Sequence, residues 1–318
     1  MLLFCINGSI SVASWAVTVH NSSPMIWQTT RFSIDLSSPK VMGIVNVTPD
    51  SFSDGGEFAS TKAALKHCEV LLKAGADILD IGGESSRPGA VPLPEAEELD
   101  RVLPVLMQAV KLGVPISVDT YKPGMMQAAL DLGVDIINDI HALQWREGSD
   151  AVAGLPRATQ LVVNHPRCGV CLMHMHRDPQ TMQVAPMTGD VVPQVLQFWK
   201  QAIQQLRGLG VEKARIMLDP GIGFGKTVKQ NFELLARQSE LMETDFPLLV
   251  GWSRKSSLAA IVSTSLSTLA TLDVRDRMVP SVAAALLSVE RGASVVRVHD
   301  VRETVQALKV LGALNGAL

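Results

Sequence analysis

Eight short apolar runs, each stopping at a polar or ionisable residue, constrain the fold of this 318-residue chain more than any other feature. They are VMGIV (41–45), ADILDI (76–81), VPISV (114–118), VDIIN (134–138), GVCLMHM (169–175), ARIML (214–218), PLLVG (247–251) and ASVVRV (293–298). Between most of them lie stretches of helical periodicity, such as 61–74, 95–112 and 193–210. Near-continuous apolar runs belong to strands covered on both faces, as in a parallel sheet. Several helical stretches leave through a glycine into the next run (AGAD, LGVP, LGVD, LGVE, RGAS), the signature of repeated helix-to-strand turns. Eight strand-then-helix units predict an α/β fold, a single (β/α)8 TIM barrel, with a doubly wound open sheet as the alternative.

The polar residues favour the barrel. The runs end at Asn46, at Asp80 with Glu84, at Asp119, Asn138, His174 with Met175, Asp219, Ser253 to Lys255, and Arg297 with His299. A barrel brings all its strand ends to one rim, where such enzymes place their chemistry. With only 8 Phe and 1 Tyr, the core must be mostly aliphatic, as parallel strands require. One domain is expected over 31–318, with Phe32, Ile34 and Leu36 alternating in a small strand or half-hairpin ahead of it. Residues 1–30 are read as a disordered extension, with Met25 as an alternative start. No Lys or Arg precedes Arg31, against a signal peptide, and Asn7 with scattered Ser and Thr interrupts any membrane span. A net charge of −3 and a pI of 6.2 leave no basic field for nucleic acid. Four cysteines make no disulfide framework in a chain this long, so a cytoplasmic location is expected.

Several segments call for a ligand. In GGESSRPGA (82–90), backbone N–H groups, the Ser85 and Ser86 hydroxyls and Arg87 can wrap an anion. An exposed loop with a solvated arginine is the plainer reading. DPGIGFGKT (219–227) fails the Walker pattern, because Pro220 stands where a glycine is needed. It also fails GxGxxG, because Lys226 takes the third glycine position. Its glycines instead let the backbone pass close to a flat ligand, with Asp219 at the strand end and Phe224 able to stack. GWSRKSS (251–257) sets Arg254 and Lys255 before a helix that Ser256 would cap, a place that attracts anions. RVHD (297–300) adds Arg297 and His299 as paired cations suited to a diphosphate.

Asp119 and Asn138 fall at adjacent strand ends. With no Lys or Arg beside Asp119 in sequence, a forked pair of ligand N–H donors would be its partner, as on a pterin or purine ring. Cys168 and Cys171 form a CxxC near His165, His174 and His176, but lack the second ligand pair of structural zinc. Magnesium is better supported, since Asn46, Asp50 and Asp54 are hard oxygen ligands.

NVTPDSFSDGG, GGESSRPGA, SVDT, IND, LMHM with DPQTMQ, LDPGIGFGK, GWSRKS and RVHDV stand in order, and together they resemble the dihydropteroate synthase family of pterin-binding enzymes over about residues 31–312. The resemblance implies condensation of 6-hydroxymethyl-7,8-dihydropterin pyrophosphate with p-aminobenzoate to give 7,8-dihydropteroate and pyrophosphate. It implies that Asp119, Asn138, Asp219 and Lys255 hold the pterin, with Met175 and Phe224 on its faces. Ser86, Arg87, Arg297 and His299 would hold the pyrophosphate, and Asn46 would ligate Mg2+. Phe52, Pro88 and Ser256 would form the p-aminobenzoate pocket, where sulfonamides act. Residues 47–56 would be a flap over the second substrate, and Asp54, Arg87, Lys255, Arg297 and His299 the catalytic groups. A homodimer is the implied assembly. Ser86 replaces the family's common threonine and keeps its hydroxyl. HRDP (176–179) and the long 141–168 segment depart from the usual pattern. A non-catalytic pterin-binding paralogue and a pterin-dependent methyltransferase are the alternative readings.

Overall fold

The computed structural model of the chain describes residues 25–48, 56–146, 154–265 and 273–317. The eight expected strands all form, and they lie parallel. They are β3 (Lys40–Asn46), β4 (Ile78–Gly82), β5 (Ile116–Asp119), β6 (Ile136–Asp139), β7 (Gly169–Met173), β8 (Ile216–Asp219), β9 (Leu249–Val250) and β10 (Val295–Val298). Their order, β8-β7-β6-β5-β4-β3-β10-β9, leaves β8 and β9 as the two ends. A single parallel bridge between Leu218 and Leu248 joins those ends, with Leu218 N–H donating to the Pro247 carbonyl at 3.0 Å. The sheet therefore closes, and the open-sheet alternative is excluded.

Helices α1 (Gly56–Ala74), α2 (Glu95–Ala109), α3 (Pro123–Asp131), α4 (Arg157–Asn164), α5 (Val191–Gly208), α6 (Val228–Ala236), α7 (Gln238–Met242), α8 (Ser256–Ser265), α9 (Met278–Glu290) and α10 (Val301–Ala317) cover the outside of the barrel. The five glycines read as helix exits, Gly75, Gly113, Gly133, Gly210 and Gly292, all have positive φ. Each helix they follow is stopped in the left-handed conformation that glycine adopts most cheaply. The main core lies between strands and helices and is aliphatic apart from Trp199, Trp252 and Phe246.

The fold begins earlier than expected. Strand β1 (Ile26–Gln28) pairs antiparallel with β2 (Ser33–Asp35), so residues 26–30 are part of the structure and not of an extension. The pattern was hard to read because three-residue strands are too short to show a period. Trp27 is fully buried, packs with Met42, Ile78, Ile136 and Met217, and donates its indole N–H to the Arg215 carbonyl at 3.0 Å. Arg31 pairs at 2.5 Å with Asp135, whose carboxylate also accepts the Ile116 N–H at 2.9 Å. The hairpin thus plugs the N-terminal end of the barrel and leaves the opposite rim for ligands. Residues 1–24 lie outside the described residues.

Candidate active site

At the C-terminal rim lies a cavity of about 620 Å³. Strand ends supply Asn46, Asp119, Asn138, Met173 and Asp219, Arg297 comes from β10, and the loops add residues 84–88, 221–224 and 253–256. Parallel register explains part of this convergence: Asp119 is opposite Asn138, and Met173 is opposite Asp219.

The floor is an ion network. Asp80, fully buried within β4, accepts Arg297 Nε at 2.6 Å and Asn138 Nδ2 at 3.2 Å on the same oxygen. Arg297 Nη2 reaches Asp119 at 2.6 Å. Asp119 therefore has a protein partner, contrary to the expectation that only a ligand could supply one. Its partner is 178 residues away in sequence, so local inspection could not find it. Burial lifts the Asp119 carboxyl above the usual range, and Arg297 opposes that shift.

Beside this network, burial raises Asp219 to about 6, while the Gly221 N–H, donating at 2.7 Å, and Lys255 pull it down. Lys255 is drawn down to about 8, first by burial and then by Arg297. Its ammonium lies 4.1 Å from the centre of the Phe224 ring, a cation–π contact. Asp219, Lys255 and Phe224 thus meet as the sequence proposed, and Lys255 occupies the ring face offered for stacking.

The anion side differs from expectation in the state of its cations. Ser86 and the exposed Arg87 line the cavity, and Arg87 makes no ion pair with the described residues. His299, however, is not a paired cation. Burial and the nearby Arg254, Arg297, Arg87 and Lys255 push its pKa down to about 3, so the ring is neutral at pH 7, with Nδ1 2.9 Å from the Ser253 hydroxyl. Arg254 also lines the cavity, but its charge is paired with Asp300 at 2.7 Å.

Other expectations shift by a residue or a role. Met173 lines the cavity, whereas Met175 packs on the same Tyr121–Met182–Phe224 cluster without reaching the lining. β7 ends at Met173, so Met175 lies in the loop beyond it, where the strand's pleat no longer sets the direction of the side chain. Ser256 is the first residue of α8 rather than its cap, and lines the cavity with Pro88. Cys168 and Cys171 are buried, and burial raises the Cys168 thiol to about 12 and the Cys171 thiol well above its ordinary value, so both are held as thiols. Phe52, Asp50, Asp54 and most of the 47–56 flap lie outside the described residues.

Lys226, singled out in sequence only as an intruder in a glycine motif, turns out to organise the rim. Its ammonium is buried and donates to the carbonyls of His174 at 3.2 Å, Gly221 at 2.9 Å and Phe224 at 3.1 Å. Three donors meet three acceptors, which ties the β7 end to the glycine loop. The two loops are so close that a Cβ at Gly221 or Gly225 would fall on the carbonyl of His174 or His176.

The sequence model described as "Pterin binding enzyme" matches residues 42–299. The dihydropteroate synthase of Neisseria meningitidis serogroup B is 48% identical over 295 residues, spanning 91% of this chain and 98% of that protein. The chain belongs to the dihydropteroate synthases of the pterin binding enzyme family. Solved members of this family superpose closely. Burkholderia cenocepacia dihydropteroate synthase, complexed with 7,8-dihydropteroate, gives a TM-score of 0.80 at 44% identity, covering 92% of this chain and 98% of that one. The Yersinia pestis dihydropteroate synthase with a sulfonamide drug complex gives 0.81 at 40%, covering 92% and 100%. The matched pterin-binding region contains Asn46 through His299, every candidate residue named above.

Proposed function

We propose that this chain is a dihydropteroate synthase, joining 6-hydroxymethyl-7,8-dihydropterin pyrophosphate to p-aminobenzoate with release of pyrophosphate. The observation that carries the reading is the meeting of Asp119, Asn138, Asp219 and Lys255 with Ser86, Arg87 and Arg297 in one cavity. Carboxylates and an amide suit the N–H edge of a pterin, and cations beside them suit its diphosphate. The amine of p-aminobenzoate is neutral and nucleophilic at pH 7, so no strong base is required. Its nitrogen forms a bond to the pterin's methylene carbon as the C–O bond breaks. The electron pair leaves on the diphosphate and the amine proton passes to solvent. Arg87 and Arg297 stabilise the charge that grows on the leaving group, and the ionised Asp219 and Asp119 favour a pterin ring that turns positive.

Mg2+ fits this donor set. The described residues hold no cluster of three or more His, Cys, Asp or Glu, while Asn46, whose side chain carries an amide oxygen, lines the cavity at the rim. Magnesium keeps several waters and binds through one or two protein oxygens plus substrate phosphate. Asn46 is the described residue that would hold it, and the ion would neutralise the leaving diphosphate.

A homodimer is supported by exposed apolar residues on the adjacent helices α9 and α10, namely Met278, Val279, Leu287, Val310 and Leu314. A cytoplasmic location is supported by the free thiols of Cys68, Cys168 and Cys171. No helix among the described residues is long and apolar enough to cross a membrane. The test is to incubate the purified chain with pterin pyrophosphate, p-aminobenzoate and Mg2+, and to detect dihydropteroate by mass. Sulfamethoxazole is expected to compete with p-aminobenzoate. Pterin binding without product would replace this reading with a non-catalytic paralogue.

A further inference from the structure

The loop carrying Ser86 and Arg87 is held at its root by a buried lysine. Lys122 stands at the start of α3 and is 4% exposed. Its ammonium pairs with Glu84 Oε2 and lies 2.6 Å from Glu98 Oε2 on α2. The Tyr121 hydroxyl donates to the other Glu84 oxygen at 3.1 Å. Both carboxylate oxygens of Glu84 are therefore fixed. Glu84 itself lines the cavity, two residues before Ser86.

The surroundings make this root stiff. Helix α2 approaches so closely that a Cβ at Gly83 would lie 2.5 Å from the Val102 side chain. At the far end of the loop, Gly89 N–H donates to the Pro179 carbonyl at 2.9 Å. Charge matters as well as shape. Glu84 is a carboxylate at the edge of a cavity proposed to take an anion, and unpaired it would repel that anion. Lys122 supplies the positive charge that both Glu84 and Glu98 face, and burial holds the Glu98 carboxyl above its usual range against that pull.

We propose that Lys122 is a positioning residue: held between Glu84 and Glu98, it sets Glu84, and through it Ser86 and Arg87, against the diphosphate end of the pterin substrate. It touches no part of that substrate. The inference rests on the reaction proposed above.

The test compares wild type, Lys122→Met, Glu84→Gln and the double variant, each titrated with two probes. One probe is the pterin diphosphate; the other is 6-hydroxymethylpterin, which has the ring without the diphosphate. Lys122→Met is expected to bind the ring probe within about twofold of wild type and the diphosphate about tenfold more weakly, with kcat/KM falling at least as far. Glu84→Gln, at a half-buried position that accepts a neutral isostere, is expected to show the same split to a smaller degree. The double variant should be no worse than Lys122→Met, because both changes break one linkage. Should Lys122→Met not fold, Glu84→Gln decides alone. Equal losses for both probes, or an unchanged diphosphate preference in both single variants, overturn the proposal. Failure of the underlying reaction looks different: wild type itself would then show no preference for the diphosphate and form no product.

Discussion

At the scale of single residues, the site stores electrostatic cost where it needs binding power. Asp219 has a folded-state pKa of about 6 against an ordinary 3.8, so its ionised form is destabilising at neutral pH. Asp219→Asn keeps an acceptor for the Gly221 N–H and removes the buried charge. It is expected to raise stability at pH 7 by on the order of 1–2 kcal/mol, a gain that disappears as pH falls toward the unfolded value. Denaturant melts at several pH values measure this. The same variant should bind the pterin ring about a hundredfold more weakly, because the charged acceptor of two N–H donors is lost. In wild type, ring affinity should fall as pH drops through about 6, with Asp219→Asn flattening that limb. His299 makes a separate prediction. Its imidazole should read as neutral by NMR down to about pH 5 and move toward the charged form when a diphosphate is added. An apo-form titration near the ordinary histidine value would contradict the burial argument.

Among elements, the rim depends on how closely two loops approach. Gly221 has φ +66° and no room for a Cβ beside the His174 carbonyl. Gly221→Ala is expected to cost roughly 2–4 kcal/mol, from left-handed backbone strain plus the displaced loop. It should also weaken ring binding, since Asp219 and Phe224 flank it. Much of this architecture was legible in the chain. Eight apolar runs gave eight strands because each is long enough to show its character and ends on a polar or ionisable residue. The five glycine exits were legible for the same local reason. What could not be read was anything joined across the barrel. The Asp80–Arg297 pair spans 217 positions, and its only sequence signal is a carboxylate inside the apolar run ILDIG. Met173 closes β7 and Met175 lies in the loop beyond it; residues two apart share a face in a strand, so the sequence pattern alone could not separate them. The Lys226 clamp needed three carbonyls whose positions only the folded loops define.

For the molecule as a whole, the hairpin and the closure of the sheet set the limits. Trp27→Ala removes a fully buried indole from the plugged end and should lower stability by about 3–5 kcal/mol, read from chemical denaturation. Pterin affinity in the remaining folded fraction should change little, because the plug and the cavity sit at opposite ends. The closure has a less obvious consequence. Strands β3 and β4 are paired over five residues, whereas β8 and β9 meet at the one Leu218–Leu248 bridge. Asp219 leaves this seam on one side, and Gly251 to Lys255 leave it on the other. A pterin gripped by Asp219 and Lys255 together would stitch the barrel shut at its thinnest join. Hydrogen–deuterium exchange should therefore be fastest, among the barrel strands, at the amides around Leu218 and Leu248, and should slow there most when the ring binds. The ligand would then complete the wall of the cavity that receives it.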